Sequence, residues 1–136
     1  HYVDVKPMIN QLQCNVMAQQ NDIVPVLNET DTKMMAWGPL GGEGVDGIVQ
    51  NEVLAAIGKK YGKSAAQVAL RWLTQRGIVA IPKSVHVERM QQNFDIFDFS
   101  LTADEMTQVA ALNQQDAGFI DFNSLSFVKY LIEKYG

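Results

Sequence analysis

Three short apolar runs along the chain predict β-strands, because each is too short for a helix and is followed by residues typical of turns. They are PMINQLQ at 7–13, KMMAW at 33–37 and IVAI at 78–81. Helical patterns occupy the segments between and after them, at 21–31, 51–62, 64–77, 86–93, 101–114 and 122–136. Strands that alternate with helices form right-handed βαβ units, so the pattern predicts an α/β fold with a buried parallel sheet.

Capping residues mark where two of these helices begin. Pro25 fits the first turn of a helix capped by Asn21 or Asp22, since the N–H groups of that turn have no partner inside the helix. Thr102 begins a capping box in which Glu105 returns to the backbone of the cap.

Composition and charge narrow the class of protein. The chain has 136 residues, of which 47% are hydrophobic and 19% charged, and this predicts one globular unit over 1–136. The net charge is −4 and the basic residues are scattered, which argues against a nucleic-acid partner. No long apolar run and no secretion-signal pattern is present, so we expect a soluble chain without a membrane partner. The single cysteine, Cys14, is predicted to be a buried apolar residue. Because one cysteine cannot form an intramolecular disulfide, the sequence favours a cytoplasmic protein.

The stretch GIVAIPKSVHVERMQQN at 77–93 predicts an anion site. Lys83 and Ser84 follow a strand, Arg89 lies in the first turns of the next helix, and the N–H groups of that helix start also attract anions. A phosphate is the expected guest. In the alternative interpretation, Lys83 and Arg89 are surface charges that pair with Glu88 or Asp95.

The stretch AWGPLGGEG at 36–44 places an aromatic side chain and a glycine-rich loop directly after a strand. Glycines let backbone approach a ligand closely, and Trp37 offers a flat face for a planar ring, although such a residue is more often part of the core. The glycine spacing fits neither a Walker A loop nor a Rossmann fingerprint.

Three strands leave two architectures open. A (β/α)8 barrel needs about 250 residues. The chain is therefore either a small open α/β domain or a piece of a barrel.

Taken together, INQ at 9–11, AWGPLG at 36–41 and GKSAAQVALRWLTQRGIVAIPKSVHVERMQQNFDIFDFSLT at 62–102 resemble the C-terminal half of the aldo-keto reductases. The resemblance covers residues 5–113 and implies a partial (β/α)8 TIM barrel, with strands six to eight and their helices. It divides the unit into a family-like part, 1–113, and a tail, 114–136, that is predicted to be helical.

The resemblance also implies a site for NADPH. Gln11 matches the side chain that hydrogen-bonds the nicotinamide carboxamide, with a buried amide bonded to backbone as its alternative. Trp37 stands where the family stacks a tyrosine on the nicotinamide ring. The loop around the pyrophosphate corresponds to Gly38, Leu40 and Gly42.

The adenosine end of the cofactor matches residues after the third strand. The segment that holds the 2′-phosphate, and that makes the family favour NADPH over NADH, corresponds to Lys83, Ser84, Val85 and Arg89. The pair that meets the adenine edge corresponds to Gln92 and Asn93, with Gln92 in place of a common Glu.

The family's catalytic residues have no match here. Its chemistry is hydride transfer to a carbonyl, with a tyrosine as proton donor beside Lys, Asp and His, and all four come from the first half of the barrel. His1 and His86 are the histidines of this chain, and His86 is expected to be exposed. The chain is therefore expected to hold much of a cofactor site and no catalytic residue of its own.

Four functions stay open from the sequence. The first is an NADPH-dependent reductase whose substrate is a small-molecule carbonyl compound, an aldehyde or a ketone. Its barrel would be completed by the missing N-terminal half. The second is a catalytically inert nucleotide-binding or oligomerising half-barrel that associates with another half-barrel. The third is an unrelated barrel enzyme that binds a sugar phosphate. The fourth is a reductase-like subunit used for assembly.

Overall fold

The computed structural model of the protein describes residues 5–42 and 47–114, together with Lys129 and Ile132–Glu133. Within these residues three parallel strands form one sheet in the order β1-β2-β3: β1 (Ile9–Gln13), β2 (Lys33–Trp37) and β3 (Val79–Ala80). The helices of residues 5–114 are α1 (Ile23–Glu29), α2 (Glu52–Tyr61), α3 (Ala65–Gln75), α4 (Val87–Phe94) and α5 (Ala103–Ala110).

The predicted α/β organisation with a parallel sheet is confirmed, and the bounds of each described element lie within four residues of the predicted ones. The tail predicted as a helix over 122–136 falls almost wholly outside the described residues. None of the described helices has the length and hydropathy to cross a membrane.

Helices cover only one face of this sheet in the part of the chain that the structure describes. On the covered face, Met34 and Ala36 are 4% and 0% exposed. On the other face, Ile9 of β1 and Val79 of β3 are 51% and 45% exposed, and they pair in register with Lys33 and Met35 of β2. The expectation of a fully buried sheet is therefore wrong for these residues, because a strand face is buried only where another layer covers it.

The core runs from the covered face to α3 and on between α3 and α2. Leu54 and Ile57 of α2 and Trp72 of α3 are at most 1% exposed. The indole N–H of Trp72 donates to the carbonyl of Met106 over 3.3 Å, which ties α5 to α3.

The helix starts agree only in part with the predicted caps. The capping box is confirmed: the Thr102 hydroxyl accepts from the N–H of Glu105, and the Glu105 carboxylate accepts from the N–H of Thr102. At α1 the cap position belongs to Asp22, whose side chain makes no capping hydrogen bond. Asn21 does not cap the helix either, because its Oδ1 accepts instead from Arg76 over 3.0 Å.

Replacing Gly58 by Ala is expected to destabilise the protein by about 2 kcal/mol, although helix propensity alone favours Ala by about 1 kcal/mol. The added Cβ would lie 2.3 Å from the carbonyl oxygen of Lys63, so α2 or the turn after it must shift. Urea unfolding monitored by circular dichroism measures the change.

The matched control for Gly58→Ala is Gly62→Ala. Gly62 has φ +67 and open space around its Cβ position, so Ala there should cost only the left-handed strain of about 1 kcal/mol. A stabilised Gly58→Ala variant would show that the turn at Lys63 moves aside freely.

Candidate functional site

A cleft of about 620 Å³ opens at the carboxyl end of the sheet, between the loops after β2 and β3 and the helices α3 and α4. Parallel strands place the loops that follow them at the same edge, which is why these segments meet. Seven predicted cofactor residues line the cleft: Leu40, Gly42, Lys83, Ser84, Arg89, Gln92 and Asn93.

Five further lining residues were not among the predicted site residues, and they are Gly41, Val49, Gln50, Ser64 and Ala66. Ser64 and Ala66 begin α3, where the Ser64 hydroxyl accepts from the N–H of Gln67 in a capping box. The S-x-x-Q spacing of that box could have located the start of α3, but not its position beside the loop after β3.

The turn after β3 aims its polar residues at the cleft. Ser84 Oγ accepts from the N–H of His86 over 3.1 Å and donates to the His86 carbonyl over 3.2 Å, which fixes the short connection into α4. His86 is exposed, as predicted. Lys83 is exposed and lines the cleft next to Ser84, so its ammonium is accessible to an anion there.

The first turn of α4 adds both N–H groups and side chains. The first helical bond runs from the N–H of Met90 to the carbonyl of His86 over 3.0 Å, so the preceding N–H groups have no partner inside the helix. Arg89, Gln92 and Asn93 follow the i, i+3, i+4 spacing that puts side chains on one helix face.

The alternative prediction, that Lys83 and Arg89 pair with Glu88 or Asp95, is not what the structure shows. Within residues 5–42 and 47–114 no ion pair joins either cation to those carboxylates, and Asp95 pairs with Lys63 instead.

The loop after β2 presents its backbone to the cleft. Gly38 has φ +60, and its carbonyl accepts from the N–H of Gly41 over 3.1 Å and from Asn15 Nδ2 over 3.3 Å. Gly42 has φ +111, and a Cβ there would meet nothing within 4 Å. The loop is therefore anchored at its start and unobstructed where it lines the cleft.

Four predicted cofactor residues do not line the cleft. Gly38 lies at the base of its loop. Val85 follows Ser84 in sequence and is 77% exposed. Gln11 and Trp37 lie on the open face of the sheet, in strands that pair in register. Gln11 is exposed and its Nε2 approaches the sulfur of Met35 at 3.2 Å, so the alternative of a buried amide bonded to backbone is wrong.

Gln13 ends β1 directly opposite Trp37. Its side chain is 5% exposed, and its Nε2 has no hydrogen-bond partner in the described part of the chain. An unpaired buried donor is costly, so this end of the sheet is suited to a guest with a polar acceptor.

Two other side chains are unsuited to catalysis. Burial raises the pKa of the Cys14 thiol to about 11, against a smaller lowering by Arg76, so Cys14 is the inert hydrophobe that was predicted. Tyr61 donates its hydroxyl to Glu105 Oε2 over 2.6 Å, and this hydrogen bond raises the pKa of Tyr61. Among the described residues no three His, Cys, Asp or Glu side chains gather as a metal site.

Comparison with known proteins gives one consistent family. The profile of the Aldo/keto reductase family matches residues 3–114. The 9,11-endoperoxide prostaglandin H2 reductase of Trypanosoma cruzi is 43% identical over 110 residues, which are 81% of this chain and 39% of that protein. The glyoxal reductase of Bacillus subtilis is 39% identical over 114 residues, which are 83% and 40% of the two chains.

Solved structures agree with the sequence relatives. MGS-M4, an aldo-keto reductase from a Medee basin deep-sea metagenome library, superposes with a TM-score of 0.85 at 34% identity, over 91% of this chain and 46% of that one. A Gox0644 mutant in complex with NADPH gives a TM-score of 0.78 at 31% identity, over 85% and 41% of the two chains. The chain thus spans less than half the length of these relatives.

Proposed function

Since the chain belongs to the aldo/keto reductase family, we propose that it carries the cofactor-binding part of an NADPH-dependent oxidoreductase that reduces aldehydes or ketones to alcohols. The observation that carries the proposal is the cleft, which gathers Lys83, Ser84 and Arg89 in one place. The NADPH bound to a solved relative supports the choice of a nicotinamide cofactor.

The cleft fits the adenosine end of NADPH. Its volume lies within the usual range for small-molecule sites. The Arg89 fork, the Lys83 ammonium and the Ser84 hydroxyl would hold the 2′-phosphate, with Val85 in the same turn, because charged donors bond phosphate oxygens strongly. The amides of Gln92 and Asn93 would meet the adenine edge.

The rest of the cofactor would run along the loop after β2 toward the sheet. The backbone of Gly38, Leu40 and Gly42 would pass beside the pyrophosphate, where the absence of glycine side chains permits close approach. Trp37 would stack on the nicotinamide ring and Gln11 would bond its carboxamide. NADPH bound in this way would supply a hydride, while Trp37 and Gln11 would orient the ring and the residues of the cleft would hold the phosphates.

We place β1, β2 and β3 as the sixth, seventh and eighth strands of a (β/α)8 barrel. The amino-terminal half would cover the open face at Ile9 and Val79, pair with the free strand edges and supply the proton donor. The short span relative to the relatives and the exposure of that face support this division. The chain by itself is then expected to bind NADPH without turnover.

Tryptophan fluorescence tests the proposal directly. In a Trp72→Phe background Trp37 is the remaining tryptophan of the sequence, and NADPH is expected to quench its emission saturably, because the nicotinamide ring lies against the indole. The Trp37→Phe protein, which keeps Trp72, is the control and should show little quenching. Absence of saturable quenching would overturn the cofactor assignment.

Two further measurements separate the alternatives. Ribose 5-phosphate should compete with NADPH weakly, and equal competition would favour a sugar-phosphate enzyme. Carbonyl-dependent oxidation of NADPH should appear when the chain is fused to the amino-terminal portion of a family member. Binding without turnover in that fusion would favour an inert nucleotide-binding module.

A further inference from the structure

Helix α4 carries three side chains of the cleft, yet apolar packing does not hold it in place. It has no buried residue, and its apolar side chains Met90 and Phe94 are 47% and 79% exposed. A helix without a buried stripe needs another attachment if its side chains are to keep a fixed position.

Polar contacts at the carboxyl end of α4, beside the buried Ile96, provide that attachment. The carbonyl of Asp95, the residue after the helix, accepts from Gln67 Nε2 over 2.8 Å and from Lys63 Nζ over 3.2 Å. The same ammonium lies 2.8 Å from a carboxylate oxygen of Asp95 and 2.8 Å from one of Asp98. Lys63 therefore joins the turn before α3 to the segment after α4.

Lys63 differs from an ordinary surface lysine because its side chain is 8% exposed while its two carboxylate partners are 61% and 60% exposed. Its Nζ lies 5.6 Å from the centroid of the Phe99 ring, so the stem is packed as well as paired. The hydrogen bond to Asp95, followed by that to Asp98, raises the pKa of Lys63. The ion pairs of Lys63 are thus more ordered than an ion pair between two mobile surface side chains. A mobile pair of that kind contributes little to stability.

The two segments that Lys63 joins each form a wall of the cleft. Ser64, the next residue, lines the cleft from the start of α3, and Arg89 lines it from α4. We propose that Lys63 is a positioning residue: its contacts with Asp95 and Asp98 set the distance between these walls and hold Arg89 where a 2′-phosphate would bind. The proposal rests on the proposed function only for the identity of the guest.

Lys63→Met tests the proposal in the purified protein, with 2′,5′-ADP, NADPH and NADH as probes. Met keeps the packed stem and removes the ammonium, so binding of 2′,5′-ADP and NADPH should weaken about tenfold while NADH changes less than about twofold. Asp98→Asn removes one of the two ion pairs from an exposed position and should cause a smaller loss of the same kind.

The matched control is Lys60→Met, which removes a lysine that pairs with Glu105 over 3.0 Å, on the side of α2 that faces α5. It should leave all three affinities unchanged. In an Arg89→Ala background, Lys63→Met should weaken NADPH less than about twofold, because the contact it positions is already gone. Equal losses in both backgrounds would mean general destabilisation and would overturn the proposal.

Amide hydrogen exchange gives a readout that needs no ligand. Exchange of the α4 amides should speed up in Lys63→Met and not in Lys60→Met, since Lys63 is the one of these two lysines that contacts the residue after that helix. Unchanged exchange overturns the positioning role even if NADPH binds as proposed. Faster exchange in a protein that does not bind NADPH would support the role of Lys63 and overturn the cofactor assignment instead.

Discussion

Replacing Arg89 by Ala is expected to weaken NADPH binding by about 10- to 100-fold, or about 1.5–3 kcal/mol, because a charge-assisted hydrogen bond to the phosphate is lost. NADH lacks the 2′-phosphate and should lose less than about threefold in affinity. Titration of both cofactors by fluorescence measures the two changes. The loss for NADPH should shrink as salt rises, because Arg89 is exposed and its attraction is screened.

Two further variants serve as comparisons for Arg89→Ala. Arg89→Lys keeps the charge and loses the planar fork, so it should recover only part of the affinity. Arg71→Ala removes an arginine that donates to Ser100 over 2.8 Å outside the cleft and should leave both affinities unchanged. If Arg89→Ala weakened NADH as strongly as NADPH, the 2′-phosphate would lie elsewhere.

Replacing Glu105 by Ala should lower the free energy of unfolding by about 2–4 kcal/mol, since three hydrogen bonds to a buried carboxylate are lost together. Glu105 is 3% exposed and accepts from the Tyr61 hydroxyl over 2.6 Å, the Thr102 N–H over 2.9 Å and Lys60 Nζ over 3.0 Å. The change also removes the capping box of α5. Denaturant unfolding near neutral pH measures the loss.

The contribution of Glu105 should depend on pH. Burial raises the pKa of its carboxyl, but the hydrogen bonds from Tyr61, Thr102 and Lys60 outweigh burial and lower the pKa from 4.5 to about 2. A lowered pKa means that the folded state favours the ionised form, so the stabilisation is complete above pH 4.5 and disappears as the pH falls toward 2. The difference between the wild type and Glu105→Ala should narrow over that interval.

Lys60→Met is the control for the Glu105 prediction. The Lys60 side chain is 61% exposed, so its loss should cost less than about 1 kcal/mol. A pH-independent difference between the wild type and Glu105→Ala would show that the carboxylate is not held in its ionised form.

Local pattern was enough to predict the parallel sheet, the α5 capping box and the meeting of Lys83, Ser84 and Arg89, whereas the other four predicted residues of the cleft came only from the resemblance to the family. Each of the first three depends on neighbours in sequence: the period of apolar positions, the spacing from Thr102 to Glu105, and the rule that parallel strands end at one edge. Which positions of the sheet stay exposed was not predicted, because burial there depends on elements beyond the three strands. The contact of Lys63 with Asp95 joins residues 32 positions apart, and no local signal marks it.

Under the proposed function, the shortness of β3 would link cofactor binding to barrel assembly. Only Val79 and Ala80 of this strand pair with β2 in the described structure, and Lys83 follows three residues later. Any segment that pairs along the opposite edge of β3 would restrict the motion of Lys83 and so favour the bound cofactor. Thermodynamic reciprocity then requires the cofactor to strengthen that strand pairing by the same factor. The nucleotide and the neighbouring strand would therefore bind this chain cooperatively.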